Sequence, residues 1–278
     1  MPQNLYEALW IFMIYAFLGW CCEVAFAALN QGKFINRGFL NGPVCPIYGF
    51  GMLAVVALLW RLRENVLLLI LGSALLTTAL ELAAGWILER FFKQKWWDYS
   101  SLPFNFKGYI CLKFSVMWGL AAAFAVGAVH PFIYFLIQKT PFLIGATVLG
   151  ALLLLFAADF IITLKELLKL PLRLKAMLEL ETALSELAEK IGGTLSDTTV
   201  SAGDFIDGRR AKAEELKAEY EKKKAEYADL IKNRSFVHRR VFKAFPNLTN
   251  GKYKTVADRI AKYKERVSER IKNEKNSL

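Results

Sequence analysis

The sequence predicts an all-α, polytopic helical membrane protein. About five transmembrane helices and a membrane-dipping loop precede a cytoplasmic helical-hairpin tail. Three observations predict this. Of 278 residues, 55% are hydrophobic. Nearly uncharged apolar runs, close to the ~20 residues that cross a hydrocarbon core, recur up to residue 165. Charge is divided unevenly: residues 1–165 hold 11 Lys/Arg and 7 Asp/Glu, whereas residues 166–278 hold 25 and 18. The change falls near Lys165–Pro171 and separates a transmembrane domain, 1–168, from a basic tail, 169–278.

The first predicted span is Leu5–Leu29, with Glu7 near its start and Glu23 inside. Met1 to Trp10 contains no Lys or Arg, so this run reads as a retained helix rather than a leader. A polar loop, Asn30–Pro43, carries Lys33 and Arg37. The second span, Pro46–Trp60, is 15 residues long, too short to cross alone. Its lead-in is expected to enter the bilayer, which requires protein or water to satisfy its backbone. The third span, Asn65–Phe92, contains Glu81, and an aromatic loop, Lys93–Lys107, follows. The fourth runs from Tyr109 to about Ile137, with a kink or stop expected at His130-Pro131. The fifth is Pro141–Lys165, with Asp159 near its far end.

Counting Lys and Arg in the loops sets the orientation. With the tail inside, the first and third loops carry Lys33, Arg37, Arg90, Lys93, Lys95 and Lys107. The outer loops carry Arg61, Arg63 and Lys139. A cell-membrane protein with its N-terminus outside and its tail in the cytoplasm is expected. In the tail, Met177, Leu180, Leu184, Leu187 and Ile191 repeat at coiled-coil spacing. Gly192-Gly193 is expected to end that helix, and Thr194–Asp207 to link it to a second one containing Leu216, Tyr220, Tyr227 and Leu230. A short segment, Arg234–Phe245, mixes aromatic and basic residues and stops at Pro246-Asn247. A last helix carries Val256, Ile260, Tyr263, Val267 and Ile271.

Three acids, Glu23, Glu81 and Asp159, lie inside apolar spans. An ionisable group in lipid costs at least ~2.5–3.5 kcal/mol, so it faces the bundle interior or a water path. In the topology above all three fall in the inner half of the bilayer. Glycines and prolines give the first loop defined turns, and the tryptophans of the third seek apolar surface. A polar site is therefore expected there, with Arg37 paired to Glu23, Glu81 or Asp98. A structural ion-pair network is the competing reading.

Other chemistry finds no support. There is no G-x-S-x-G, H-E-x-x-H or phosphate-loop motif, so no enzyme class is indicated. The two histidines are far apart and no cysteine pair has metal-ligand spacing, so neither metal nor cofactor is expected. Acidic residues interrupt the basic tail, which disfavours nucleic acid as a partner.

Three blocks give the membrane part a family likeness. They are Tyr15-Ala-Phe-Leu-Gly-Trp-Cys-Cys-Glu23, the run Asn36 to Gly51, and Trp97-Asp-Tyr-Ser with Phe104-Asn105 and Gly108 to Leu112. In order and spacing they resemble the bacterial ABC-transporter type IV, permease-like family of multi-pass membrane proteins. The resemblance covers roughly residues 5–165. Carried onto this chain, its motif positions are Gly19, Glu23, Asn36, Arg37, Gly38, Pro43, Pro46, Tyr48, Gly49, Glu81, Trp97, Asp98, Tyr99, Asn105 and Gly108. The resemblance implies a transport component, with an ATPase as a separate subunit if ATP drives it. The expected binding residues are Glu23, Asn36, Arg37, Tyr48, Glu81, Trp97, Asp98, Tyr99 and Asn105. Two other readings are an intramembrane enzyme acting on a lipid-like substrate and a membrane scaffold or regulator.

Overall fold

A computed structural model of the chain describes residues 1–93, 95–200, 206–233 and 235–245. The break expected at Pro246-Asn247 and the helix expected from Val256 lie outside the described residues. The chain divides into two compact units. One comprises Met1–Leu168 and the segment that starts at Val237, and the other is built on Lys169–Phe236. The segment from Val237, expected in the tail, therefore packs within the first unit.

The first unit is helical apart from one small hairpin. Helix α1 (Leu5–Gln31) begins where the Asn4 side chain accepts from the Glu7 N–H at 2.9 Å, and it ends at Gly32 with φ 63°. Helix α2 (Pro46–Leu59) starts on a proline and passes into a 3₁₀ turn, Trp60–Leu62. Helix α3 (Val66–Phe92) is capped by Asn65. The hairpin β1 (Asn105–Phe106) and β2 (Ile110–Cys111) follows, then α4 (Leu112–Phe124) and α5 (His130–Lys139). Helix α6 (Phe142–Val200) runs through both units.

Among the described residues, four helices are long and apolar enough to cross a membrane: Leu5–Gln31, Val66–Phe92, Leu112–Lys139 and the first part of α6. Their apolar side chains face outward. Leu75 is 75% exposed and Leu154 74%. A surface of that kind is stable only where lipid is the solvent. The fifth expected span is α2, which is short as read from the sequence. The amide of Cys45, just before α2, donates to the carbonyl of Ala16 at 2.9 Å. Ala16 lies 15 residues before the end of α1, about 22 Å along its axis. The first loop therefore descends along α1, and α2 has only the remaining depth to cross.

Close packing between α1 and α2 depends on glycine. A Cβ on Gly19 would overlap the Tyr48 ring, and one on Gly49 would come within 2.6 Å of the Phe12 carbonyl. Ile11, Tyr15, Ile133 and Ile137 form one core cluster between α1 and α5. Val55, Val56, Leu69 and Ala122 form another between α2, α3 and α4.

Of the kink or stop expected at His130-Pro131, the stop does not occur. The chain stays helical from Leu112 to Lys139, and a π-helical turn, Ala125–Val129, stands just before His130-Pro131. A wider turn is one way of accommodating a ring that cannot donate to the carbonyl four residues back.

In the second unit, α6 continues past Pro171 with Leu170, Leu174, Met177 and Leu187 buried. The acid Glu181 is buried where Leu180 was expected in the seam. Helix α7 (Ile206–Lys232) runs antiparallel to it. Arg173 donates to the Leu230 carbonyl at 2.5 Å, and Ala188 and Ile191 share a groove with Lys217, Tyr220 and Glu221. Gly192-Gly193 does not terminate α6, which remains helical to Val200. Each glycine costs about 1 kcal/mol relative to alanine, which an otherwise continuous helix can bear.

The tight α1–α2 contact generates a prediction. Gly19→Val should lower stability by about 1–3 kcal/mol, read as a lower melting temperature of the purified protein. Gly51→Ala, in the interior of α2 where a Cβ meets nothing within 4 Å, should not lower the melting temperature.

Candidate functional site

The site is built on the first loop, residues 32–45. Asn36 organises the start of its turn: its side-chain oxygen accepts from the Trp20 indole at 2.9 Å and from the Gly38 N–H at 3.0 Å. Its amide nitrogen donates to the Asn41 carbonyl at 2.7 Å. Asp159 of α6 takes the other side of the turn. It accepts from the Asn41 side chain at 2.8 Å, from the Gly42 N–H at 2.7 Å and from Thr163 at 3.1 Å.

The loop carbonyls are answered by helix α8 (Phe236–Ala244), which belongs to the same unit from Val237 onward. Arg240 donates to the Gly38 carbonyl at 2.6 Å, the Phe39 carbonyl at 2.7 Å and the Asn41 side chain at 3.0 Å. Burial lowers its pKa to about 10, opposed by the charge of Asp159, so it stays protonated at neutral pH. Val237, Val241 and Ala244 bury the apolar face of α8. His238 meets the Glu166 carbonyl at 2.7 Å, and Phe245 packs edge-on against Trp96 at 5.0 Å.

Around this framework lie the predicted binding residues. Arg37 Nε stands 3.6 Å from Glu23. The guanidinium sits near the rings of Phe26, at 5.5 Å, and Phe245, at 5.8 Å. The other oxygen of Glu23 accepts from the Tyr48 hydroxyl at 2.7 Å. Tyr48 meets Trp118 edge-on at 5.6 Å, and Trp118 interacts with Glu81. Glu81 also accepts from the Tyr99 hydroxyl at 3.1 Å. Glu23, Tyr48, Trp118, Glu81 and Tyr99 thus form one continuous polar and aromatic file, each member half-buried.

The pairing expected for Arg37 is made with Glu23 alone. Among the described residues, Glu81 and Asp98 are not its ion-pair partners. Glu81 is held by neutral groups. Asp98 turns back to its own loop: it accepts from the Ser100 N–H at 3.0 Å and from the Ser100 hydroxyl, with Lys95 at 3.9 Å. Burial pushes the Asp98 pKa up, but the Ser100 bonds and Lys95 outweigh it and hold the group below the usual carboxylate range.

Trp97 and Asn105 also serve the hairpin. The Trp97 indole donates to the Tyr109 carbonyl at 2.7 Å, and the Asn105 amide donates to the Leu102 carbonyl at 2.7 Å. Gly108, with φ 75°, leaves the space that Asp98 fills. The structure therefore brings Glu23, Asn36, Arg37, Tyr48, Glu81 and Tyr99 together. Trp97, Asp98 and Asn105 shape the loop that presents Tyr99.

Sequence reasoning missed Arg240 as part of this arrangement. It noticed Asp159 but gave it no partner. The available signal was the short amphipathic segment around Arg240. Nothing local links it to a loop some 200 residues earlier.

The residues with these contacts fall mostly within a known family pattern. A family model described as "Putative ABC-transporter type IV" matches residues 10–164. The chain belongs to this family. The matched region of this ABC-transporter type IV member runs from α1 into α6 and contains all nine predicted binding residues and Asp159. Arg240 lies beyond it. No solved structure matches the chain.

The double clamp on the loop predicts a measurable change. Cys45, 6% exposed at the end of the loop, should react slowly with a membrane-permeant maleimide. Arg240→Ala and Asp159→Ala should each accelerate labelling of the Cys45 peptide roughly tenfold or more, since a bond to a charged group is worth about 1.5–3 kcal/mol.

Proposed function

We propose that the chain is the membrane-embedded component of a transporter, and that its cargo meets Glu23, Arg37 and Tyr48 on one side and Glu81 and Tyr99 on the other, with Asn36 bracing the turn that presents Arg37. One observation carries the reading. Two carboxylates on different membrane-crossing helices are joined through Tyr48 and Trp118 while remaining half-buried. Carboxylates kept inside a bundle against a desolvation cost mark solute or ion paths. Groups required only for packing would be better sealed.

The binding elements suit a moving cargo. Tyr48 sits on a half-length helix that follows an irregular loop, and Tyr99 sits on the loop after α3. Arg37 balances Glu23, while Glu81 is held by neutral partners. Trp97, Asp98 and Asn105 fit better as scaffold than as cargo contacts. Membership of the ABC-transporter type IV family supports the transport reading in general. The sequence has no phosphate-loop motif, so ATP hydrolysis would fall to a separate subunit. The excess of Lys and Arg on the first and third loops favours a cytoplasmic location for that end, for α8 and for the tail.

The test compares small molecules inside and outside cells producing the wild-type chain or the Glu23→Gln/Arg37→Gln double variant. Solutes redistributed by the wild type should change at least tenfold less with the variant at equal membrane abundance. Equal redistribution by a normally folded variant would overturn the reading.

A further inference from the structure

A second polar feature lies deep in the bundle and adjoins the cargo site at Tyr48 and Glu23. His130 opens α5 and is 0% exposed. Among the described residues, neither ring nitrogen has a hydrogen-bond partner. Tyr15, 4% exposed, likewise keeps its hydroxyl unpaired. The imidazole stacks on Tyr15 at 6.0 Å and on Tyr134 at 5.8 Å, and meets Trp60 edge-on at 5.2 Å.

A neutral imidazole always presents one donor and one acceptor. Burying both unpaired in an apolar setting costs a few kcal/mol, a penalty that phenylalanine in the same place would avoid.

The neighbours extend this group in both directions. Towards the start of α1, the Tyr134 hydroxyl donates to Glu7 at 2.9 Å. Towards its end, Tyr15 is one turn from Gly19, against which the Tyr48 ring packs, and Tyr48 donates to Glu23 at 2.7 Å. Glu7 and Glu23 are 16 residues apart on α1, about 24 Å, against a hydrocarbon core of ~30 Å.

We propose that His130 is the centre of a proton relay that runs from Glu7 through Tyr134, His130, Tyr15 and Tyr48 to Glu23. A proton from bulk water at the Glu7 end reaches one imidazole nitrogen. The other nitrogen releases its proton towards Tyr15, with water carrying it across the gaps between rings. The imidazole returns to its neutral form by ring reorientation or tautomer exchange, so one proton enters for each that leaves and no redox change occurs. The groups facing His130 are Tyr15 from α1, Trp60 from the 3₁₀ turn and Tyr134 from α5. The Met1 amino group acts on it through space, and Arg63 lies 4.4 Å over Trp60.

The test uses the full chain in phosphatidylcholine–phosphatidylglycerol vesicles with a potassium gradient, valinomycin and an internal pH dye. Wild type should admit protons faster than empty vesicles, and His130→Phe should reduce that flux at least tenfold with a melting temperature no lower than that of the wild type. Flux from wild type no greater than from empty vesicles, or equal flux from His130→Phe, would overturn the relay.

A second measurement does not depend on flux. The chain has two histidines, so the ¹⁵N-imidazole signal absent from the His130→Phe spectrum identifies His130. In bilayers that signal should change with external pH, and a signal unchanged at every pH at which the protein stays folded would also sink the proposal. Neither readout involves Arg37 or a cargo, so failure of the transport reading leaves both interpretable.

Discussion

Irregular backbone inside a bilayer has no solvent to fall back on, and the first loop is built around that constraint. It descends to the depth of Ala16, and its turn is held from three directions. Asn36 closes it internally, Asp159 takes N–H groups, and Arg240 takes carbonyls. An acceptor-only carboxylate and a donor-only guanidinium suit these tasks. Because the loop supplies part of the depth, α2 can be short. Because α2 starts inside the bundle, Tyr48 reaches Glu23 rather than the membrane surface.

The charges follow a consistent logic. Glu23 has Arg37 beside it, and Asp159 feels Arg240. Each pair joins groups distant in sequence, so the charges also fix which segments pack together. Glu81 differs: one oxygen accepts from the Tyr99 hydroxyl, and the other has no hydrogen-bond partner among the described residues. A buried acid without a neighbouring cation retains more freedom to change its protonation or to accept a visiting charge.

The two loops expected to line one polar site have different tasks. In the loop before α2, Arg37 lies beside Glu23, while Asn36 braces the turn that presents it. In the loop after α3, polar side chains are largely consumed in forming a two-strand hairpin, and Tyr99 alone of its expected residues extends to Glu81. Glycine and asparagine occur in both, so residue type could not tell a brace from a contact. The deciding quantity was where each hydrogen bond ended. Asp98 finds Ser100 two residues away, and local partners of that kind compete effectively with distant ones.

The sequence by itself determined the membrane class, the short second span, the intramembrane acids and the family blocks. Apolar run length and the cost of charge in lipid are properties of the chain, independent of packing. It could also indicate that the loop before α2 must enter the bilayer, because 15 residues cannot cross it. Only the tertiary structure decided that Arg37 pairs with Glu23, that Asp98 serves its own hairpin, and that helices continue through Pro131, Pro171 and Gly192-Gly193. It also decided that Arg240 closes a loop some 200 residues earlier. Each of these is a competition among several sterically allowed partners, settled by which backbone groups would otherwise remain buried and unpaired.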